Sequence, residues 1–184
     1  MNFSNRDEMW QLLCQYTTND LLRKHCLAVE AAMRWYARYF GEDETTWGNI
    51  GLIHDLAYEK FPEQHPQKDG EILRDLGFPE EWVRAVWSHG DALGIPRVTR
   101  LEKTLYAVDE LTGLLVAVAL VRPSKKLVDV DVSAVKKKWK DKAFARGVNR
   151  ADIERGAADL GIPLDEHIGN VLTALKAVAD QLGV

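Results

Sequence analysis

GLIHDLAY, residues Gly51 to Tyr58, decides how the rest of the chain is read. A histidine and an aspartate stand side by side at the end of an apolar run. Either alone is easily accommodated. Buried together, they are costly unless something neutralises them. Adjacent residues on a helix point about 100° apart, so His54 and Asp55 converge on one point only near a helix end or around a shared ion.

Outward from this stretch the chain reads as helices punctuated by Gly and Pro. The spacing predicts helices over about 6–16, from near Asp20 to Phe40 with Gly41 as stop, and over about 44–56. A Pro-bearing loop, EQHPQ, leads into a helix that ends at Gly77. FPEEWVRAVWSHG opens on Pro79 and stops at Gly90. A long helix follows over about 99–121, closed by Arg122-Pro123. Beyond it lie a basic helix over about 132–141, one opened by Asn149, and a last one over about 163–182. Strand alternation is weak, with KKLVDVDV (residues 125–132) as the best candidate. The expected class is therefore all-α. A boundary near Pro123 separates a helical core, 1–122, from a C-terminal helical extension, 123–184, packed on it.

The other histidines repeat the problem of the first. His25 shares a helix face with Leu21, Leu22, Ala28 and Val29, which points it at the core. Asp109 lies among Leu105, Tyr106, Thr112 and Val116, with no base at i±3 or i±4, and needs a cation from elsewhere. His89 follows Ala85 and Val86 just before the Gly90 stop, and His65 sits in the proline-bracketed loop. Each imidazole taken singly reads equally as a core histidine bonded to a backbone carbonyl. As a set, histidines and carboxylates are the ligand mix for Mn, Fe, Zn, Co or Ni rather than for Mg or Ca. A dication is then the partner that the His54-Asp55 pair lacks.

A lone His, an adjacent His-Asp pair and a distant Asp on a later helix, here His25, His54-Asp55 and Asp109, resemble the signature of the HD-domain metal-dependent phosphohydrolase superfamily. Two intervening histidines, here His65 and His89, are similar to those that mark its binuclear members. LEKTLYAVDELTG looks like the last-helix segment of HD hydrolases acting on dinucleoside polyphosphates, and the tail after Lys136 resembles that of small HD hydrolases. The resemblance covers about residues 21–120. Two positions depart from it. Relatives often continue HD-x-G-Lys, whereas here the lysine is displaced to Lys60; some have His-His where this chain has Ser88-His89.

The resemblance implies an HD-domain helical bundle that binds one or two divalent transition metal ions. His25, His54, Asp55 and Asp109 would hold one, and Asp55 would bridge to a second held by His65 and His89. Water activated by the metals would attack phosphorus in a nucleotide-like or other small phosphorylated substrate. Asp55, Glu59 and Lys60 are the catalytic candidates, Glu59 as a residue that orients water. Lys24 and Arg122 are candidate phosphate ligands. His167, behind Asp165-Glu166, is expected at the surface. Two other function classes fit the ligands: an HD-type di-iron oxygenase, and a non-catalytic binding or signalling module that keeps metal for folding.

Composition narrows the setting. The formal charge of −4 argues against a stable nucleic-acid complex. Charge is unevenly spread, with 10 bases against 3 acids from Arg122 to Arg150. That stretch reads either as a solvated helix face or as a basic rim attracting an anionic substrate. Cys14 and Cys26 form no CxxC pattern, which suits a reduced compartment. The apolar run LTGLLVAVALV (111–121) is too short to span a bilayer. A cytoplasmic protein with no membrane association is expected, and a homo-oligomer is left open.

Overall fold

The computed structural model describes residues 2–141 and 143–184. Among them are ten α-helices and no strand: α1 (Arg6–Tyr16), α2 (Asp20–Phe40), α3 (Glu44–Ile53), α4 (Gln67–Asp75), α5 (Glu80–Ser88), α6 (Arg100–Leu120), α7 (Val132–Trp139), α8 (Arg150–Leu160), α9 (Leu164–Lys176) and α10 (Ala179–Leu182). The all-α expectation holds. No helix of the described residues is long and apolar enough to cross a membrane.

The ends are set by local chemistry. The Asn19 side chain accepts from the amides of Leu21 and Leu22 to open α2, and Gly41 closes it in the left-handed conformation at φ 73°. Thr99 and Glu102 form a reciprocal capping box at the start of α6. Three boundaries differ from expectation. The third helix stops at Ile53 rather than Leu56, because the chain turns to bring His54 and Asp55 to one side. The last predicted helix breaks after Lys176 and resumes as α10. KKLVDVDV forms no strand: its centre is a 3₁₀ turn at Leu127–Asp129, and Leu127 and Val130 are buried in the core. Alternation there reflects two anchors of a loop, with no neighbouring strand to pair.

The two long helices, α2 and α6, pack together and carry the rest: α3 and α9 lie on α2, and α8 lies on α6. Gly51 permits the α2–α3 approach. A Cβ at this position would fall 2.9 Å from Met33 Cγ and 3.1 Å from the Val29 carbonyl. The closeness is what hands the end of α3 to the face of α2. Ile50, Leu52, Ile53 and Leu56 are fully buried around it. At ~2 kcal/mol for each such side chain, this apolar burial holds a turn that also buries an imidazole and a carboxylate. Residues beyond Pro123 share the same hydrophobic core through Val135, Ile153, Ile168 and Val171.

Candidate metal centre

The turn after α3 projects His54 and Asp55 into the space between α2 and α6. His25 comes from the second turn of α2, Asp109 from the middle of α6, His89 from the C-terminal cap of α5, and His65 from the loop before α4. The His25 Nε2 lies 2.9 Å from Asp109 Oδ1 and 3.6 Å from Asp55 Oδ2. The His54 Nε2 is 3.4 Å from both Asp55 Oδ1 and Asp109 Oδ1. Asp55 Oδ1 is 3.4 Å from His89 Nε2 and 3.6 Å from His65 Nε2. All six sequence-predicted ligands therefore converge, with Asp55 between the two groups. Triads of ligand atoms from His25, His54 and Asp55, and from Asp55, His65 and His89, each lie within 4.8 Å of one another.

Which ring nitrogen faces inward is settled by what holds the other one. His54 Nδ1 donates to the Gly51 carbonyl at 2.8 Å, and His89 Nδ1 donates to the Val86 carbonyl. His65 Nδ1 donates to the Asp69 carboxylate at 3.0 Å. Each neutral ring then presents a bare Nε2 lone pair to the interior. His65 Nε2 and His89 Nε2 stand 3.1 Å apart. Two lone pairs at that distance repel unless a proton or a metal ion lies between them. His54 Nε2 and Asp55 Oδ1 are moreover buried without a hydrogen-bond partner. Their neighbours are near enough to attract but not aligned to bond. Unsatisfied buried polar atoms cost ~1–3 kcal/mol each, so the donor set fits a cation that coordinates them.

The electrostatics agree. Burial by itself depresses the His54 imidazolium, but Asp55 and Asp109 outweigh it and push the ring up to about 9. His89 is burdened by the same desolvation and is still raised, chiefly by the Asp55 carboxylate beside it. Burial opposes ionisation of Asp55 and Asp109. The His54 and His89 rings nonetheless hold Asp55 well below the ordinary carboxylate range, and His25 and His54 do the same for Asp109. The cluster thus demands positive charge at its centre, supplied by protons when no ion is bound.

One contributor was not read from the sequence. Asp69 is fully buried on α4, accepts from the Ala57 amide at 2.7 Å and orients His65. Its place four residues after His65 was the available signal. His25 differs from expectation in a second way. It does not point into the core but is partly exposed, and Leu21 one turn back is 75% exposed. The apolar stripe of α2 stops short of it.

Three other predicted residues are not brought to the cluster. The Glu59 carboxylate accepts from the amides of Thr18 and Asn19 and from the Thr18 hydroxyl, so it caps the approach to α2. Lys60 Nζ donates to the Gln15 carbonyl at 2.8 Å and lies over the Tyr16 ring. Arg122 lines a separate hollow with Pro123, Asp131 and Lys138. Lys24 alone of the four stays close, lining a cavity together with His25 while pairing with Asp20. His167 overturns its expectation as a surface residue. It is fully buried, accepts at Nδ1 from the Tyr36 hydroxyl at 2.6 Å, and donates from Nε2 to the Ala107 carbonyl at 2.9 Å. The acids beside it in sequence face water, but its own position on α9 faces α2 and α6.

Fold and site together define an all-α bundle that gathers imidazoles and carboxylates from five segments around space for a cation. The HD domain family model matches residues 22–114, just over half of the chain, and the chain belongs to that family. Its members bind divalent metals and are mostly metal-dependent hydrolases. Comparison with curated proteins and with solved structures returns no match.

Proposed function

We propose that this chain is a metal-dependent phosphohydrolase acting on a small phosphorylated substrate. The observation that carries the reading is the facing pair of imidazole nitrogens of His65 and His89, 3.1 Å apart, beside the orphaned His54 Nε2 and Asp55 Oδ1. In this reading His25, His54, Asp55 and Asp109 hold one divalent transition metal ion, and Asp55, His65 and His89 hold a second. When bound, such ions supply a water deprotonated near neutral pH and neutralise charge developing on the phosphoryl group.

The protein's own part is preorganisation. Gly51, Val86 and Asp69 fix the orientation of three imidazole rings before any ion arrives, so loading displaces protons and moves the side chains little. Asp55 and Asp109 balance the ionic charge from a mostly buried position. His25, Asp109 and His65 are the more exposed members, and His25 and Asp109 open between α2 and α6. Lys24 lines the same cavity as His25, and its pairing with exposed Asp20 costs little to break, since such pairs are worth ~0–1 kcal/mol. Glu59 and Lys60 receive no role because their side chains are engaged elsewhere, and Arg122 receives none because it lines a separate hollow.

The test is metal stoichiometry by elemental analysis after loading with Mn, Fe, Zn, Co or Ni, combined with a phosphate-release screen. Wild type should bind metal and release phosphate only when loaded. His54→Ala and Asp55→Ala should lose both the metal and the melting-temperature gain that loading brings. Variants with wild-type metal content would overturn the reading. So would a di-iron centre that consumes O₂ and releases no phosphate.

A further inference from the structure

A cavity of about 290 Å³ opens beside His25, between α2, α6 and α10. Leu21, Ala28, Val116, Leu120, Leu182 and Val184 make up its apolar wall, and apart from the His25 ring no aromatic side chain lines it. Its polar side chains are few. The Thr112 hydroxyl is already committed, donating to the Asp109 carbonyl at 2.8 Å. Lys24 and His25 remain, and His25 is itself a member of the cluster. Leu21 is 75% exposed and Leu120 about half exposed at its edge, an apolar surface that an apolar ligand would cover.

Gly113 adds a separate observation. It sits in the interior of α6, where glycine costs ~1 kcal/mol relative to alanine. No neighbour demands it, because a Cβ there would meet nothing within 4 Å. The missing side chain enlarges the cavity. At the ~30 Å³ that a water molecule occupies in the liquid, the volume has room for about ten non-hydrogen atoms.

We infer that this cavity receives the aliphatic portion of the substrate, so that the preferred ligand is an alkyl phosphate, its phosphate end at His25 and Lys24. The orientation rests on the phosphohydrolase reading above. A nucleobase would seek an aromatic face to stack on and side-chain partners for its ring edge, and beyond Lys24 and His25, which take the phosphate end, the wall supplies neither. A saturated chain needs only apolar surface, and here it would find that surface adjoining the charged cluster.

Calorimetric titration with ethyl, butyl and hexyl phosphate, and with adenosine monophosphate as the competing class, tests this on the full chain. Each added methylene should tighten binding about fourfold, or about 250-fold over the four from ethyl to hexyl. Gly113→Leu should remove that length dependence. Leu120→Asp, at the half-exposed edge, should weaken it and serves if the first variant misfolds. Affinity that is flat with chain length, or adenosine monophosphate binding more tightly than hexyl phosphate, would overturn the inference. Phosphate release is followed on the same series to separate the two claims. Length-dependent binding without release retires the hydrolase reading and leaves the cavity assignment standing. Release with flat binding does the reverse.

Discussion

His167 should make this protein acid-sensitive in a way that one substitution removes. Its ring is held neutral by two bonds that use both nitrogens: Nε2–H to the Ala107 carbonyl, and Nδ1 accepting from Tyr36, whose oxygen in turn lies 3.5 Å from the Asn170 amide nitrogen. A proton on Nδ1 would displace the Tyr36 donor. Burial, the larger influence, lowers the ring from 6.5 to about 4, against a smaller lift from the Ala107 bond. The folded-state value lies below the unfolded one, so the unfolded chain takes up the proton first as pH falls. This contribution to stability is complete above about pH 6.5 and is lost progressively towards pH 4. At ~1.4 kcal/mol per pH unit the interval amounts to about 3 kcal/mol, a large share of a typical domain's margin. His167→Gln keeps polar atoms at the site and cannot titrate. Urea unfolding of both proteins at pH 7 and pH 4.5 should show wild type losing about 2.5 kcal/mol more than the variant. Other acid-labile groups, the histidine–aspartate cluster included, are common to both proteins and cancel in that difference. Stability curves that run parallel across this range would refute the account of His167 as a buried neutral ring.

Asp69→Asn leaves the backbone acceptor role partly intact but removes the charge that orients His65. Metal affinity should fall ~10–100-fold by competition with a chelating dye, with little change in the metal-free melting temperature. Glu59→Ala should lower the melting temperature by freeing the amides of Thr18 and Asn19, yet leave bound metal per chain at the wild-type value. Gly156→Val forces a side chain into a place where even a Cβ lies 2.6 Å from Ala107 Cα. It should cost ~1–3 kcal/mol in urea unfolding by prising α8 from α6, and an unchanged midpoint would show that the contact is softer than drawn.

Much of this architecture could be read from residue order. Helix starts at Asn19, Thr99 and Asn149, and the stop at Gly41, follow from capping chemistry that acts within one turn of chain. Five of the candidate ligands were legible because each put a titratable side chain where an apolar one was due; His65, in a polar loop, rested on the resemblance to HD domains, which also supplied their order. The misplaced residues share another cause. Glu59, Lys60 and Arg122 lie near the ligands in sequence or in charge pattern, but a carboxylate or ammonium on a long side chain goes to whatever partner the fold brings. For Glu59 that partner is a helix start some 40 residues away. His167 was misread because its flanking acids suggest a solvated face, while the face that matters is covered by helices 60 and 131 residues distant in the chain.

By itself, then, the sequence determined that this chain is a helical bundle carrying a set of histidines and aspartates that water alone would not satisfy. Only the tertiary structure decided which nitrogen of each ring faces inward, that Asp55 stands between two groups of ligands, and that an apolar cavity adjoins them. The division is physical. Periodicity and caps are energies between neighbours in the chain, whereas a tautomer, a shared carboxylate or a cavity wall is fixed by partners that meet only when distant helices pack.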